Sequence, residues 1–291
     1  MATPLITPPT AAATIGAAHP DFGHLEHRTG TERARRLGPG KAIPASLAIG
    51  PVILVLAWLA GSHFGFLDAR TLPHPLVVLD TIGELWSDGR LPTNIVASLR
   101  LASISLVIGV VLGLLLALVA GLSRVGESLV DGPVQIKRAV PTLAIIPLAI
   151  MWFGIGDTMK IIIISTSVFI PVYINTHAQL RGVDTRHVEL AETVGLSRWQ
   201  FIREVALPGA LPGFFTGLRL AVTISWTALV VVEQVNATSG IGYLMNQARL
   251  YGQLEIVVVG LVVYAVFGLA GDYTVRVIER RVLSWRRALG N

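Results

Sequence analysis

The sequence has no cysteine, which excludes disulfide bridges, thiolate metal ligands and cysteine nucleophiles together. Charge is also scarce: Asp, Glu, Lys and Arg make up 14% of the 291 residues, where soluble globular domains carry about 25%. There is no Gly-x-Ser-x-Gly elbow and no His-Glu-x-x-His pair, so neither a serine hydrolase nor a zinc protease is readable. Gly40-Lys41 looks like the end of a phosphate-binding loop, but Ala42 follows where Ser or Thr is needed, and the glycine five residues earlier is missing. His19, His24 and His27 fall in a tail, and His63, His74, His177 and His187 are scattered, so no metal-ligand spacing forms and no metal site is expected. No enzyme chemistry is visible.

Apolar side chains are abundant instead. Hydrophobic residues make up 53% of the chain and the mean hydropathy is +0.66, which places it with integral membrane proteins. The net charge of +5 does not argue for nucleic acid, because the basic residues sit at the ends of apolar runs. A helix needs about 20 apolar residues to cross a bilayer, and the candidates are roughly 44–66, 101–122, 133–154, 158–178, 214–235 and 255–275. The third holds Pro141 and Pro147 and is expected to be a kinked span. The fold class is therefore all-α, a polytopic membrane protein with about six transmembrane helices. Residues 1–42, rich in Ala, Pro, Thr, Gly and His, read as a disordered cytoplasmic tail, and 43–291 as the transmembrane domain. With both termini inside, the inner segments carry seventeen Lys and Arg and the outer ones five, namely Arg70, Arg90, Arg100, Lys160 and Arg249; Arg219 lies at the start of the fifth span. That bias sets both termini in the cytoplasm.

The longest internal cytoplasmic segment, 181–213, has its own structure. Asp184 is a plausible N-cap for a short helix running to Val194, and Gly195 supplies the left-handed residue that ends it. Ser197 and Gln200 form a capping box that starts a second helix, on which Trp199, Ile202, Val205 and Ala206 share an apolar face. Leu207-Pro208 is expected to stop that helix. The result is a helix, a glycine turn and a helix on the inner membrane face.

Glu189-Leu190-Ala191, Gly195, Val205, Leu207 and Pro208 stand at the spacing of the EAA loop, and the chain resembles the permease subunits of bacterial binding-protein-dependent ABC importers that carry it. Leu190 replaces the central alanine and Val205 the isoleucine of the pattern; neither adds charge. The resemblance runs from about Leu72 to Trp285. It includes Val140-Pro141, Trp152-Phe153-Gly154, Phe169-Ile170-Pro171 and Ser239-Gly240-Ile241-Gly242, stretches similar to the branch importing aliphatic sulfonates, taurine, nitrate or bicarbonate, with the sulfonate permeases nearest. The resemblance implies a homodimer in the bacterial inner membrane, two ATPase subunits that hold ATP and Mg, and a separate extracytoplasmic binding protein. This chain itself would bind no cofactor. It also implies that Glu189, Leu190, Ala191, Gly195, Leu196, Val205, Leu207 and Pro208 form the ATPase-coupling element.

The fifth run offers a solute path. At 100° per residue Arg219, Thr223, Trp226, Thr227, Glu233 and Gln234 fall within an arc of about 120°, which faces protein or water and not lipid. Thr223, Trp226 and Thr227 are candidates for contact with solute and Glu233 for the outer mouth, paired with Arg249 or with backbone donors beside Ser239-Gly240. A packing seam against another helix or a second copy is the alternative. For Ser165, Thr166 and Ser167, hydroxyls bonded back to their own helix are as natural as a path. An ion-gradient transporter is the rival function, but such machinery usually leaves an acidic or histidine relay near mid-membrane, and these runs show none apart from Glu233 toward the outer end.

The charge bias makes a testable statement. In this cysteine-free chain, T10C should be shielded from an impermeant thiol reagent in intact cells and S239C should be labelled. Equal labelling of both from outside would overturn the topology.

Overall fold

The computed structural model describes residues 46–68 and 71–285; the expected tail, 1–42, lies outside them. By its contacts the chain divides after Gly50, and the helix packing belongs to the unit from Pro51 onward. The described residues contain no strand. Their helices are α1 (Ser46–His63), α2 (Pro75–Ser87), α3 (Arg90–Leu122), α4 (Arg124–Ala139), α5 (Thr142–Phe153), α6 (Asp157–Arg181), α7 (Thr185–Thr193), α8 (Arg198–Phe201), α9 (Leu207–Asn236), α10 (Ile241–Leu250) and α11 (Leu254–Val282), with a π-helical segment, Ile202–Ala206, joining α8 to α9.

At the centre stands α6, with α3 on one side and α9 on the other. Two lines of small residues bring the three backbones together. On α3 they are Gly109, Gly113, Ala117 and Gly121, one every fourth residue and hence on one face; on α9 they are Gly213, Gly217 and Ala221. A β-carbon on Gly113 would stand 2.6 Å from the Phe169 carbonyl oxygen, and one on Gly217 2.6 Å from that of Pro171. Lipid tails are as apolar as leucine, so helices gain little by hiding apolar surface from lipid, and close backbone approach supplies the attraction instead. Met159, Ile164, Val168, Val172 and Tyr173 of α6 are fully enclosed. By contrast Val107, Val111, Leu115 and Val119 of α3 and Leu261 and Leu269 of α11 are exposed, as suits surfaces turned to hydrocarbon.

Among the described residues, four helical stretches, those of α3, α6, α8 through α9, and α11, are long and apolar enough to cross a membrane. The first apolar run forms α1, whose apolar part, Ile49–His63, is shorter. Within the third run the expected kink is sharp: α4 and α5 meet at a bend of 104°. The break falls at Val140-Pro141, where Pro141 leaves the helical region (ψ 134), as a proline and its predecessor readily do; Pro147 sits inside α5 without ending it. α4 is amphipathic and lies along the end of α6, with Arg181 bonded to Glu127 at 3.0 Å and the Tyr173 hydroxyl donating to Asp131 at 3.4 Å. Of the α6 hydroxyls, Thr166 and Ser167 donate back to the Ile163 carbonyl, whereas Ser165 donates across to the Ser105 carbonyl of α3 at 3.0 Å.

One correction concerns Leu207-Pro208, which does not stop the helix. Leu207 is helical (φ −65, ψ −50) and its N–H reaches back to Ile202, five residues away. A π turn is wider than an α turn. At Pro208 the missing donor and the ring are therefore accommodated, and the chain runs on as α9.

G113A should lower unfolding stability in micelles by about 1–3 kcal/mol, because the added methyl must push α3 away from α6. G132A in α4, where a β-carbon would meet nothing, should be neutral or stabilising by up to about 1 kcal/mol through helix propensity. An equal loss in both would refute the close-approach account.

Candidate coupling surface and solute path

The loop after α6 is held by its own caps. Asp184 accepts the Arg186 N–H at 2.9 Å, Gly195 takes φ +74, and Leu196 N–H bonds back to Ala191 at 2.9 Å. Ser197 and Gln200 make the reciprocal pair, with Gln200 N–H to Ser197 Oγ at 3.3 Å and Ser197 N–H to Gln200 Oε1 at 2.9 Å. Arg198 then donates to the Leu122 carbonyl at the end of α3 (3.1 Å), and Ala206 and Ala210 pack with Leu180, Leu118 and Phe201. The turn is thus tied to the ends of α3 and α6.

The candidate coupling residues are divided between two sides. Glu189, Leu190 and Gly195 are exposed, Ala191 is buried, and Leu196, Val205, Leu207 and Pro208 are half-buried. Trp199 does not join the inward face with Ile202, Val205 and Ala206; it is 68% exposed, as is Val194. Its position one turn before the π segment puts it outside the contact that the other three make. Leu190, Val194 and Trp199 therefore give the tip of the loop an apolar outer surface, flanked by Glu189 and Glu192. Beside it a cavity of about 390 Å³ opens between the end of α6, α7, the π segment and Trp285.

The polar arc of α9 is also split. Thr223 and Thr227 are exposed, and their hydroxyls bond back to the Arg219 and Thr223 carbonyls at 3.3 and 3.2 Å. Trp226 instead stacks on Phe267 of α11, with centroids 5.5 Å apart and planes at 19°. Arg219 donates to Asp272 of α11 at 3.1 Å, and Arg276 shares that carboxylate. One edge of the arc is spent on α11; the threonine edge is open.

Glu233 is 2% exposed and joins four helices. Its oxygens accept from Ser98 Oγ of α3 at 2.8 and 2.9 Å, from the Gly242 N–H of α10 at 2.8 Å and from Tyr264 Oη of α11 at 2.9 Å. Ser98 Oγ in turn accepts the Ile241 N–H, and Asn94 accepts that of Gly240, both at 2.8 Å. The first amides of a helix lack internal partners and carry positive partial charge, so Glu233, Ser98 and Asn94 cap α10 from other helices. Arg249, the alternative partner, bonds to Asn246. A β-carbon on Gly240, at φ +114, would run into the Glu233 carboxylate, which accounts for glycine there. Asn94, Ser98 and Tyr264 were not foreseeable from local pattern; the closest signal was the Gly240-Ile241-Gly242 spacing ahead of an apolar helix, which marks close backbone approach.

Residues 94–284 match the family described as the inner membrane component of binding-protein-dependent transport systems. A chain of Bacillus subtilis named as an aliphatic sulfonates transport permease protein is 37% identical over 238 residues, spanning 82% of this chain and 86% of its own length. Its Escherichia coli namesake is 41% identical over 238 residues, 82% and 90% of the two chains. The taurine transport system permease protein of Escherichia coli is 31% identical over 246 residues, again 82% and 90%. Among solved structures, an amino acid ABC transporter aligns over 69% of this chain and 97% of its own, with a TM-score of 0.58 at 19% identity. At that identity the likeness concerns the fold.

Because Ser98 serves both Glu233 and the Ile241 amide, S98A should destabilise the protein more than Y264F, which withdraws one donor and should cost about 1–3 kcal/mol. Unfolding in mixed micelles gives the ranking, and the reverse order would contradict the capping arrangement.

Proposed function

Because the chain belongs to the family of binding-protein-dependent transport system inner membrane components, it is a multi-pass permease subunit of an ABC importer, and we propose that its solute is an aliphatic sulfonate or a related small anion. The solute follows from what the most similar relatives are named for. Two copies form the channel, each resting on an ATPase subunit that holds ATP and Mg and performs the hydrolysis, while an extracytoplasmic binding protein delivers the solute. Both termini lie in the cytoplasm, and 1–42 is a cytoplasmic tail.

The observation that carries the mechanism is continuity. Directly after the capped turn, the helix runs from Arg198 through α8 and the π segment into α9 without a break. A displacement of the turn by the ATPase therefore reaches the helix that bears Thr223 and Thr227 through a hydrogen-bonded rod, with no flexible linker to absorb it. Leu190, Val194 and Trp199, apolar and exposed, suit burial in a protein groove; Glu189, Glu192 and Glu204 beside them oppose adsorption to anionic lipid. On the open edge of α9, threonine hydroxyls offer weak hydrogen bonds to a passing solute, and tight recognition rests with the binding protein. Trp226 backs this edge, and Glu233 holds the outer end of the bundle together.

Proteoliposomes containing the permease, its ATPase and its binding protein should take up ethanesulfonate only with ATP. G195V should reduce uptake and ATPase docking by about tenfold or more, since a β-branched residue at a left-handed position costs at least about 1–2 kcal/mol, while the spans still insert. T223L with T227L should cut uptake and leave basal ATP hydrolysis intact. Uptake that persists without the ATPase would point to an ion-gradient transporter, and full uptake by G195V would remove the coupling role.

A further inference from the structure

At the end of the bundle away from the coupling loop, the start of α6, the outer part of α3 and the end of α9 enclose a cavity of about 160 Å³. α6 has 25 residues between the two ends, about 37 Å at 1.5 Å per residue. Two cations line this cavity, Arg100 and Lys160, together with the carboxylates of Asp157 and Glu233 and the Ser239 side chain. The formal charges cancel, but hydrogen-bonding capacity does not. Glu233 is already committed through both oxygens to Ser98, Gly242 and Tyr264. Asp157 is 74% exposed at its side chain and gives one oxygen to Lys160 at 3.1 Å.

Lys160 is only 4% exposed, and that single bond uses one of its three donors. Arg100 has five donors and makes no hydrogen bond or ion pair with any described residue. A buried ammonium with unused donors, and an exposed guanidinium at the rim of the same space that bonds to no described residue, thus leave donors there that water or an anion can fill. The apolar part of the lining is Leu101, Ile104 and Ile161, from the same two helices as the cations.

We propose that this cavity is an oxyanion-receiving site, in which Arg100 and Lys160 hold the sulfonate head of the solute while its aliphatic part lies on Leu101, Ile104 and Ile161. The identity of the head rests on the proposed sulfonate function; the demand for an acceptor-rich anion rests on the donors alone. Guanidinium and ammonium groups bond to oxyanions more strongly than neutral donors do. A site at this end meets the solute before it reaches the threonine edge of α9, and Asp157 at its rim keeps the ammonium of Lys160 oriented. Such a site selects by charge at the point of admission, a selectivity that the threonine edge cannot supply.

The test titrates trifluoroethanesulfonate against the full chain in micelles and follows the fluorine NMR line width. Broadening is expected with the unaltered chain, reversed by ethanesulfonate and not by dimethyl sulfone, a neutral molecule of similar shape. Competition by inorganic sulfate as strong as that by ethanesulfonate would support the oxyanion site and remove the apolar wall from it. R100Q should weaken binding about tenfold, the equivalent of one charge-assisted contact, with no change in melting temperature because Arg100 bonds to no described residue. Adding K160Q should abolish binding, and R100K should retain part of it. No broadening with the unaltered chain, or the same broadening in R100Q and in the double variant, would overturn the site. Parallel uptake assays separate the two levels. Uptake of ethanesulfonate that R100Q with K160Q leaves unchanged sinks the site and spares the sulfonate function. Binding of the anion without any sulfonate uptake sinks that function and spares the oxyanion site.

Discussion

The fold depends on how closely α6 can approach its two neighbours. Within hydrocarbon, burying apolar surface gives helices little net attraction, so contact must come from dispersion between tightly apposed backbones. Gly109 and Gly113 on one side and Gly213 and Gly217 on the other leave room for carbonyls of α6 to sit where β-carbons would stand. Everything that bears on function is hung on this three-helix slab. The capped turn around Gly195 is the link between α6 and α9, and Arg198 ties it to the end of α3. The cavity lined by Arg100, Lys160, Asp157 and Glu233 lies at the other end of the same three helices.

Beside the apolar packing of α10 and α11 on this slab, Glu233 joins them to it by hydrogen bonds. A carboxylate in a low-dielectric setting is costly unless it is well hydrogen-bonded. Here its donors come from α3, α10 and α11, so meeting the needs of one side chain fixes the relative position of four helices. The same residue keeps α10 folded by standing at its positive end. Together with Arg219 and Asp272 nearer the opposite end of α9, it pins α11 at two levels.

Local chemistry was the legible part of the sequence. Asp184, Gly195 and the Ser197–Gln200 pair act within a few residues of themselves, and the structure has each where its pattern implied. The apolar runs likewise located the long helices. Interpretation weakened where the deciding partner is distant or the rule is conditional. The polar arc of α9 was correct as a periodicity, yet Arg219 is answered by Asp272 and Trp226 by Phe267, fifty-three and forty-one residues away. Ser98 stands 135 residues from Glu233. Proline rules describe an α-helix, so Pro208 looked like a stop because a π turn has no advance signature. At Pro141 the same rule underestimated a full corner between α4 and α5.

The π segment also sets an angle. One residue corresponds to about 100° of helix rotation, and a π turn arises where a helix contains one residue more than α geometry can place in register. Ile202–Ala206 therefore fixes the azimuth between the outward surface of the capped turn and the threonine edge of α9. Were the chain shorter by a single residue there, both surfaces would survive in composition, but they would be rotated by about 100° relative to each other.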